Sequence, residues 1–362
     1  MWLGALVDRA EGLALKAHHA LHLPCFLIVI MLGFWETVYC VLHRFIPSES
    51  NSAEKTNTYI RQHRDQNPGE KVAIVTGANG GIGLETARAL GRAGFTTILA
   101  CRNLKRGQRA LTELEESTGL KCFVLMEVDL ASFMSIEQFA KEFEASYSEL
   151  HLLVCNAGVA FSHYDTTYDG LESQFGTNFV GHYVLINRLV RMMKPGGRIT
   201  VASSVAACMV REIDYTRVTD VWRFDRFANY STSKLALLAY SNALARRLEP
   251  QGITVNAFHP GLVATSLYRN VLFSMLPGIH EFRSWLWLDQ KVGSVTSIYL
   301  ALSPEMEGRS GGYYAREQPA AMHPCATKTE VQERLCQFTE VLVKTNTHAQ
   351  QLLESINSPR AE

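Results

Sequence analysis

Six short runs between residues 72 and 259 are apolar almost end to end: VAIVT (72–76), TTILAC (96–101), CFVLMEV (122–128), LHLLVCN (150–156), GRITVAS (197–203) and ITVNAFH (253–259). The stretches between them carry the period of amphipathic helices, over 81–93, 105–116, 132–146, 175–193 and 230–249. A strand with one wet face would alternate polar and apolar side chains. These runs do not, so both faces of their sheet must be covered. Strand–helix alternation with right-handed crossovers predicts an α/β doubly wound parallel sheet with helices on both faces. Such sheets bind ligands beyond the carboxyl ends of their strands, so functional residues are expected directly after each run.

Three zones follow from the pattern: an N-terminal extension over 1–68, the α/β domain over 69–320, and a C-terminal helix and polar tail over 321–362. An apolar content of 47% supplies a core and excludes wholesale disorder. Lys plus Arg equals Asp plus Glu at 35 each, which offers no basic field for nucleic acid. The eight cysteines are scattered, with no C-x-x-C pair and no zinc-like spacing to His. They read as buried, reduced thiols, and no metal is expected.

Within the extension, LHLPCFLIVIMLGFWETVYCVL (21–42) is broken only by Glu36 among charged residues. At about 1.5 Å per residue it approaches a bilayer core of about 30 Å. Trp35 and Tyr39 lie toward one end, and His43 and Arg44 close it. An N-terminal membrane-anchor helix is the expectation. An interfacial or core-packed helix, suggested by Pro24 and Glu36, and a signal peptide are the alternatives. The slight excess of positive charge after the run would leave the α/β domain on the cytosolic side. Residues 51–69 are polar and read as a linker.

The first strand runs straight into Thr76-Gly77-Ala78-Asn79-Gly80-Gly81-Ile82-Gly83, which opens a helix. Gly77, Gly81 and Gly83 allow a tight turn, close backbone approach to a pyrophosphate and helix–sheet packing. Amides at the helix start then receive the phosphate charge. The fold is therefore expected to be Rossmann-type. At the end of the second strand, Cys101 stands where a ribose-binding acid would, and Arg102 follows. A guanidinium suits a 2′-phosphate, so NADP(H) is favoured, with NAD(H) possible.

Tyr230-Ser231-Thr232-Ser233-Lys234 opens another helix, and its i, i+4 spacing stacks a phenol and an ammonium on one face. A cation beside the phenol would lower its pKa and fit it for proton exchange with an alcohol oxygen.

Glycine spacing, Tyr-x-x-x-Lys and their order after successive strands resemble the short-chain dehydrogenase/reductase family over residues 70–320. That resemblance implies further roles. Asp129 would contact the adenine, and Asn156-Ala157-Gly158 would pack beside the cofactor, with Cys155 departing from the family's usual asparagine. Ser204, or Ser203 as runner-up, would orient the substrate oxygen. Asn178 would hold a water in a proton relay with Lys234. In His259-Pro260-Gly261-Leu262-Val263-Ala264-Thr265, residues Pro260, Gly261, Val263 and Thr265 would meet the nicotinamide. Asn79 and Ile82 belong to the phosphate turn. Relatives often dimerise through the helix that begins at Tyr230, so a homodimer is possible unless the C-terminal extension blocks it.

ACRN after the second strand and the long gap from Ser204 to Tyr230 resemble the retinol-dehydrogenase group, and TSLYRNVLF and SIYLALSPEMEG resemble its X-linked branch. The implied activity is alcohol–carbonyl interconversion on a hydrophobic, retinoid- or polyprenoid-like substrate. The implied place is a membrane, the endoplasmic reticulum or a lipid droplet. A lid from Ser266 through Phe273, Met275, Phe282 and Trp285 to Leu288 is apolar and aromatic, as such a substrate requires. The alternatives are a steroid or fatty acyl carbonyl substrate, or a cofactor-binding regulatory protein without turnover.

Overall fold

A computed structural model describes residues 25–43, 51–66, 69–263 and 287–357, with scattered positions from 4 to 16. Eight strands form one sheet in the order β3-β2-β1-β4-β5-β6-β7-β8. They are β1 (Lys71–Thr76), β2 (Phe95–Cys101), β3 (Phe123–Glu127), β4 (Leu150–Cys155), β5 (Met193–Ala202), β6 (Thr254–His259), β7 (Tyr313–Ala315) and β8 (Gln318–Pro319). Every pairing is parallel except β7–β8. The order turns back on itself between β1 and β4, and a crevice opens above their carboxyl ends.

The helices are α1 (Cys25–His43), α2 (Ser52–Gln66), α3 (Gly81–Arg92), α4 (Leu104–Thr118), α5 (Phe133–Ser146), α6 (Gly181–Leu189), α7 (Arg226–Leu248), α8 (Gln290–Leu302) and α9 (Thr329–Asn357). One core cluster gathers Phe139, Phe143, Phe179, Leu185 and Leu237 against one face of the sheet. A second places Leu84, Leu90, Leu114 and Ile298 against the other. The two clusters are why the strands carry apolar residues on both faces.

Three local differences from the sequence expectation have physical causes. Helix α7 begins a turn before Tyr230, because Asp225 caps it by accepting from Phe227 and Ala228 N–H. The single helix expected over 175–193 is broken by a π-helical turn at Gly176–Val180, where Asn178 lies. The stretch read as a linker is helix α2. Asn51 caps it by accepting from Glu54 N–H at 3.2 Å, and Ile60 and His63 are buried against the domain.

The N-terminal run forms a helix, as its hydropathy suggested. Helix α1 folds back onto the domain, with Tyr39 and Cys40 buried against Val263 and Leu288. Among the described residues no helix is long and apolar enough to cross a membrane. Glu36, the residue that interrupts the run, is 1% exposed and pairs with Arg316. A carboxylate buried this deeply needs a cation, and the domain supplies it.

Arg316 and Glu317 form the two-residue turn between β7 and β8, and both adopt left-handed φ angles of 51° and 65°. Side chains other than glycine pay on the order of 1 kcal/mol each there. Both residues hold the N-terminal helices: Arg316 grips Glu36, while Glu317 takes Lys55 at 2.7 Å and the Tyr59 hydroxyl of α2. At the other end of the chain, α9 lies along α7 and buries Leu335 in the main core.

Candidate active site

The turn after β1 is shaped by glycines for reasons that can be read in ångströms. Gly77 has φ 68°, and a Cβ on Gly83 would lie 2.5 Å from the Gly77 carbonyl oxygen and 2.6 Å from Asn156 Nδ2. Any side chain at Gly83 would push the helix start away from the strand ends. Gly81 opens α3, and Ile82 packs toward Leu262 and Val263. Backbone amides of Ala78 and Asn79 point at the Cys101 sulfur, whose thiol burial pushes up to about 11. Cys101 is therefore a neutral prop under the turn.

Arg102 is 59% exposed on its side chain, with Nη1 standing 3.8 Å from Asp129 Oδ2. The other Asp129 oxygen accepts from Ala131 N–H at 2.9 Å. The guanidinium thus sits at the mouth of the crevice beside the carboxylate expected to meet an adenine.

A buried relay joins the strand ends. Thr76 Oγ1 accepts the N–H groups of Asn156 at 2.9 Å and Ala157 at 3.0 Å, and it lies 3.0 Å from His182 Nε2. His182 Nδ1 lies 2.7 Å from the Asn178 carbonyl, which can only accept. The ring proton therefore belongs on Nδ1, and Nε2 accepts from the Thr76 hydroxyl. Burial holds this imidazole down to about 4, so it is neutral. Neither Thr76 nor His182 was expected from the sequence. The signal available was their placement, at a strand end and four residues after Asn178.

Four side chains expected to act together come from the turn after β5, the π-helical turn and α7. Ser204 caps the 3-10 turn Val205–Met209, its Oγ accepting from Ala206 N–H at 3.1 Å, and its side chain is near enough to Tyr230 to lower the phenol's pKa. Ser203, the runner-up, is committed elsewhere: its Oγ donates to the Lys234 carbonyl at 2.9 Å. Lys234 Nζ donates to the Ala202 carbonyl at 2.8 Å and lies 5.7 Å from the centre of the Tyr230 ring. Burial pulls the ammonium down to about 8. It pushes the phenol up to about 12. The sequence suggested a phenol lowered by Lys234 and an oxidised nicotinamide together; in the folded chain burial raises it, and Ser204 offsets part of the rise.

Asn178 adjoins this group, its Nδ2 donating to Ser233 Oγ, the residue before Lys234. Its Oδ1 accepts Val159 N–H at 2.8 Å, and its Nδ2 donates to the Val159 carbonyl at 2.9 Å and to Ser233 Oγ at 3.0 Å. The amide braces the loop after β4 against α7. A Cβ on Gly158 would come 3.2 Å from Asn178 Oδ1 and 3.6 Å from Lys234 Nζ. That bare glycine, the glycine turn and the exposed Arg102 together fit an extended dinucleotide running from Asp129 to Lys234.

Beyond β6, Pro260 and Gly261 turn the chain, and Val263 bridges to Leu288. Thr265 and the expected lid up to residue 286 lie outside the described residues. One apolar cluster beside Tyr230 was missed from the sequence. Phe161, at φ 53°, stacks 4.8 Å from Tyr230 and 5.0 Å from Phe227, and Ala160, Ala206 and Met209 complete the apolar patch.

The family model for short chain dehydrogenases matches residues 71–272, the segment that carries all of these groups. The chain belongs to the short-chain dehydrogenase/reductase family. It is an NAD(P)-dependent oxidoreductase of the retinol-dehydrogenase-like group. Human (Homo sapiens) retinol dehydrogenase 14 is 35% identical over 303 residues, covering 78% of this chain and 90% of that protein. The chloroplastic short-chain dehydrogenase TIC 32 B of Brassica napus is 35% identical over 285 residues, covering 75% and 88%. Among solved structures, a short chain dehydrogenase from Burkholderia cenocepacia in complex with NADP superposes with a TM-score of 0.53 at 25% identity, covering 67% of this chain and 94% of that one. Within this short-chain dehydrogenase/reductase the described residues contain no cluster able to hold a metal ion, and the cysteines with described side chains are all free.

Proposed function

We propose that this enzyme interconverts an alcohol and a carbonyl on an apolar, retinoid- or polyprenoid-like substrate with NADP(H), and that Tyr230 is its acid/base. The observation that carries the reading is the apolar patch of Phe161, Ala160, Ala206 and Met209 packed around a buried Tyr230, with Ser204 beside the phenol and lowering its pKa. A polar substrate would gain nothing from that wall, whereas an apolar chain is desolvated on it.

A dinucleotide held by the glycine turn and Arg102 would supply the hydride for reduction of the carbonyl carbon. The protein handles the oxygen. Ser204 donates a hydrogen bond that holds it in line with the phenol. Tyr230 gives its proton as charge develops on that oxygen. Lys234, fixed by the Ala202 carbonyl, keeps positive charge beside the phenolate that is left. Arg102 favours NADP(H) because nothing at Cys101 can accept a ribose hydroxyl as a carboxylate would.

A membrane surface, of the endoplasmic reticulum or a lipid droplet, is the natural place for such a substrate, with the catalytic domain facing the cytosol. Trp222, 93% exposed beside Val221 and near the Tyr164–Phe224 pair, supports contact with an interface. The homodimer open from the sequence would use α7. Helix α9 covers that helix, which supports a monomer at this face.

Steady-state turnover of all-trans-retinal, a polyprenal, a steroid ketone, a fatty acyl ketone and a small polar aldehyde, each with NADPH and NADH, tests the reading. Faster turnover of the first two with NADPH is expected, and Tyr230→Phe should abolish it while cofactor still binds. Preference for the steroid or acyl ketone selects those alternatives. Binding of NADPH without turnover of any carbonyl selects the regulatory one.

A further inference from the structure

The mechanism above leaves Glu36 unused, yet among the described residues no other carboxylate is as deeply buried. Its Oε1 lies 3.1 Å from His259 Nε2 and also takes Arg316 Nη2. His259 is the last residue of β6, directly before the Pro260-Gly261 turn. On the far side of the ring, Nδ1 lies 3.4 Å from the main-chain nitrogen of Val205, the residue after Ser204. A main-chain amide can only donate, so Nδ1 carries no proton, and the ring proton sits on Nε2 facing the carboxylate. Carboxylate, imidazole and amide thus form one directed line from the N-terminal helix to the turn that carries Ser204.

The packing runs the same way. Helix α1 touches the 3-10 turn Val205–Met209, and Tyr39 and Cys40 are buried on Val263 and Leu288 beside the Pro260-Gly261 turn. Arg316 alone would offset the charge of Glu36 if docking the helix were the sole requirement. The imidazole adds direction: the carboxylate fixes which nitrogen is protonated, and only that tautomer accepts from Val205.

We propose that α1 is a wall of the active site and that Glu36 is a positioning residue, acting through His259 to hold the Val205 amide and with it the hydroxyl of Ser204. This goes beyond the activity proposed above, and its turnover arm rests on that reading.

Two measurements on the full chain test it. Hydrogen exchange resolved to the Val205 amide is compared in the wild type, Glu36→Gln and Glu36→Asp. Exchange about 10-fold faster in the Gln variant, largely restored by Asp, with β1 and β2 amides unchanged, is expected. Unchanged Val205 exchange in Glu36→Gln overturns the proposal. So does a uniform rise across β1, β2 and Val205, the mark of a helix that only adds stability.

The second measurement is NADPH-dependent turnover of all-trans-retinal. In Glu36→Gln, kcat should fall about 10-fold while the NADPH dissociation constant stays within about two-fold. His259→Asn should fall likewise, and the double variant should fall no further than either single one. Additive losses, or equal losses in kcat and NADPH binding, overturn it. If the wild type turns over none of the carbonyl probes, the proposed activity fails, and the exchange experiment decides the present inference by itself.

Discussion

Lys234 and Tyr230 are buried together, with the ammonium 5.7 Å from the centre of the phenol ring and tethered to the Ala202 carbonyl at 2.8 Å. Burial acts on them in opposite senses, bringing the ammonium down to about 8 and taking the phenol up to about 12. Below pH about 8 both groups hold their protons, which is the state needed to protonate a carbonyl oxygen during reduction. Reductive kcat/KM is therefore expected to stay level through neutral pH and to fall above about pH 8 as Lys234 loses its charge. A pH–rate profile with NADPH and an apolar aldehyde reads this directly. In Lys234→Arg the cation persists to much higher pH, so the alkaline break should move upward. A break that stays where it was would belong to another group.

Arg102 lies 3.8 Å from Asp129 at the open end of the crevice, with its head more than half exposed. A pair this exposed adds little to stability, so the guanidinium is available to a ligand at small cost. Charge-assisted hydrogen bonds to a phosphate contribute about 1.5–3 kcal/mol. Arg102→Ala should weaken NADPH binding by roughly 10- to 100-fold and NADH binding far less. Fluorescence quenching with each cofactor measures both constants. Equal losses for the two would remove the 2′-phosphate role.

Gly83 offers a steric test of the cofactor turn. In Gly83→Ala the new methyl must displace the Gly77 carbonyl or the Asn156 amide, and Asn156 Nδ2 already donates to the Thr76 carbonyl at 3.0 Å. The strain should cost about 1–3 kcal/mol of stability. It should also cut the affinity for either dinucleotide, because the amides that face the pyrophosphate move with the turn. Thermal unfolding and cofactor titration of the variant check the two effects. A variant that keeps its melting temperature and both affinities would show that the turn gives way freely.

Much of this arrangement is legible in the amino-acid sequence. Uniformly apolar runs such as VAIVT have one stable use, the interior of a covered parallel sheet, and the residues after them fall in the crevice by topology alone. The features that are not legible there depend on tertiary context. Glu36 looks like a flaw in a membrane-length run because nothing local announces Arg316, 280 positions away. Asn51 and Glu54 carry a capping signal for α2, yet a polar stretch next to Pro and Gly reads as a linker unless its partners on α8 are known. Phe161 is hidden for a similar reason: a left-handed φ on an aromatic residue is imposed by its surroundings, here by Gln174 Oε1 accepting its N–H at 2.7 Å. The place of Tyr230 in the chain follows from its motif, but its pKa moves upward because burial has no signature in an i, i+4 spacing.

His182 links Thr76 to the carbonyl of Asn178, and both ring nitrogens are engaged only when the ring is neutral. Burial holds it down to about 4 from an unfolded value near 6.5. Between those values the unfolded chain binds a proton that the folded chain refuses, so folding stability falls as pH drops through that window and is fully present above it. The loss for one such residue is on the order of 3 kcal/mol, and His63, held near 4 by the same cause against Phe95, adds in the same direction. Melting temperature followed from pH 7 down to pH 4 should therefore decline, with the steepest part below about 6. In His182→Gln an amide can donate to Asn178 and accept from Thr76 without titrating. That variant should lose a distinct share of the acid sensitivity even if it starts from a lower melting temperature at pH 7. A decline identical to that of the wild type would place the acid-labile group elsewhere in the fold.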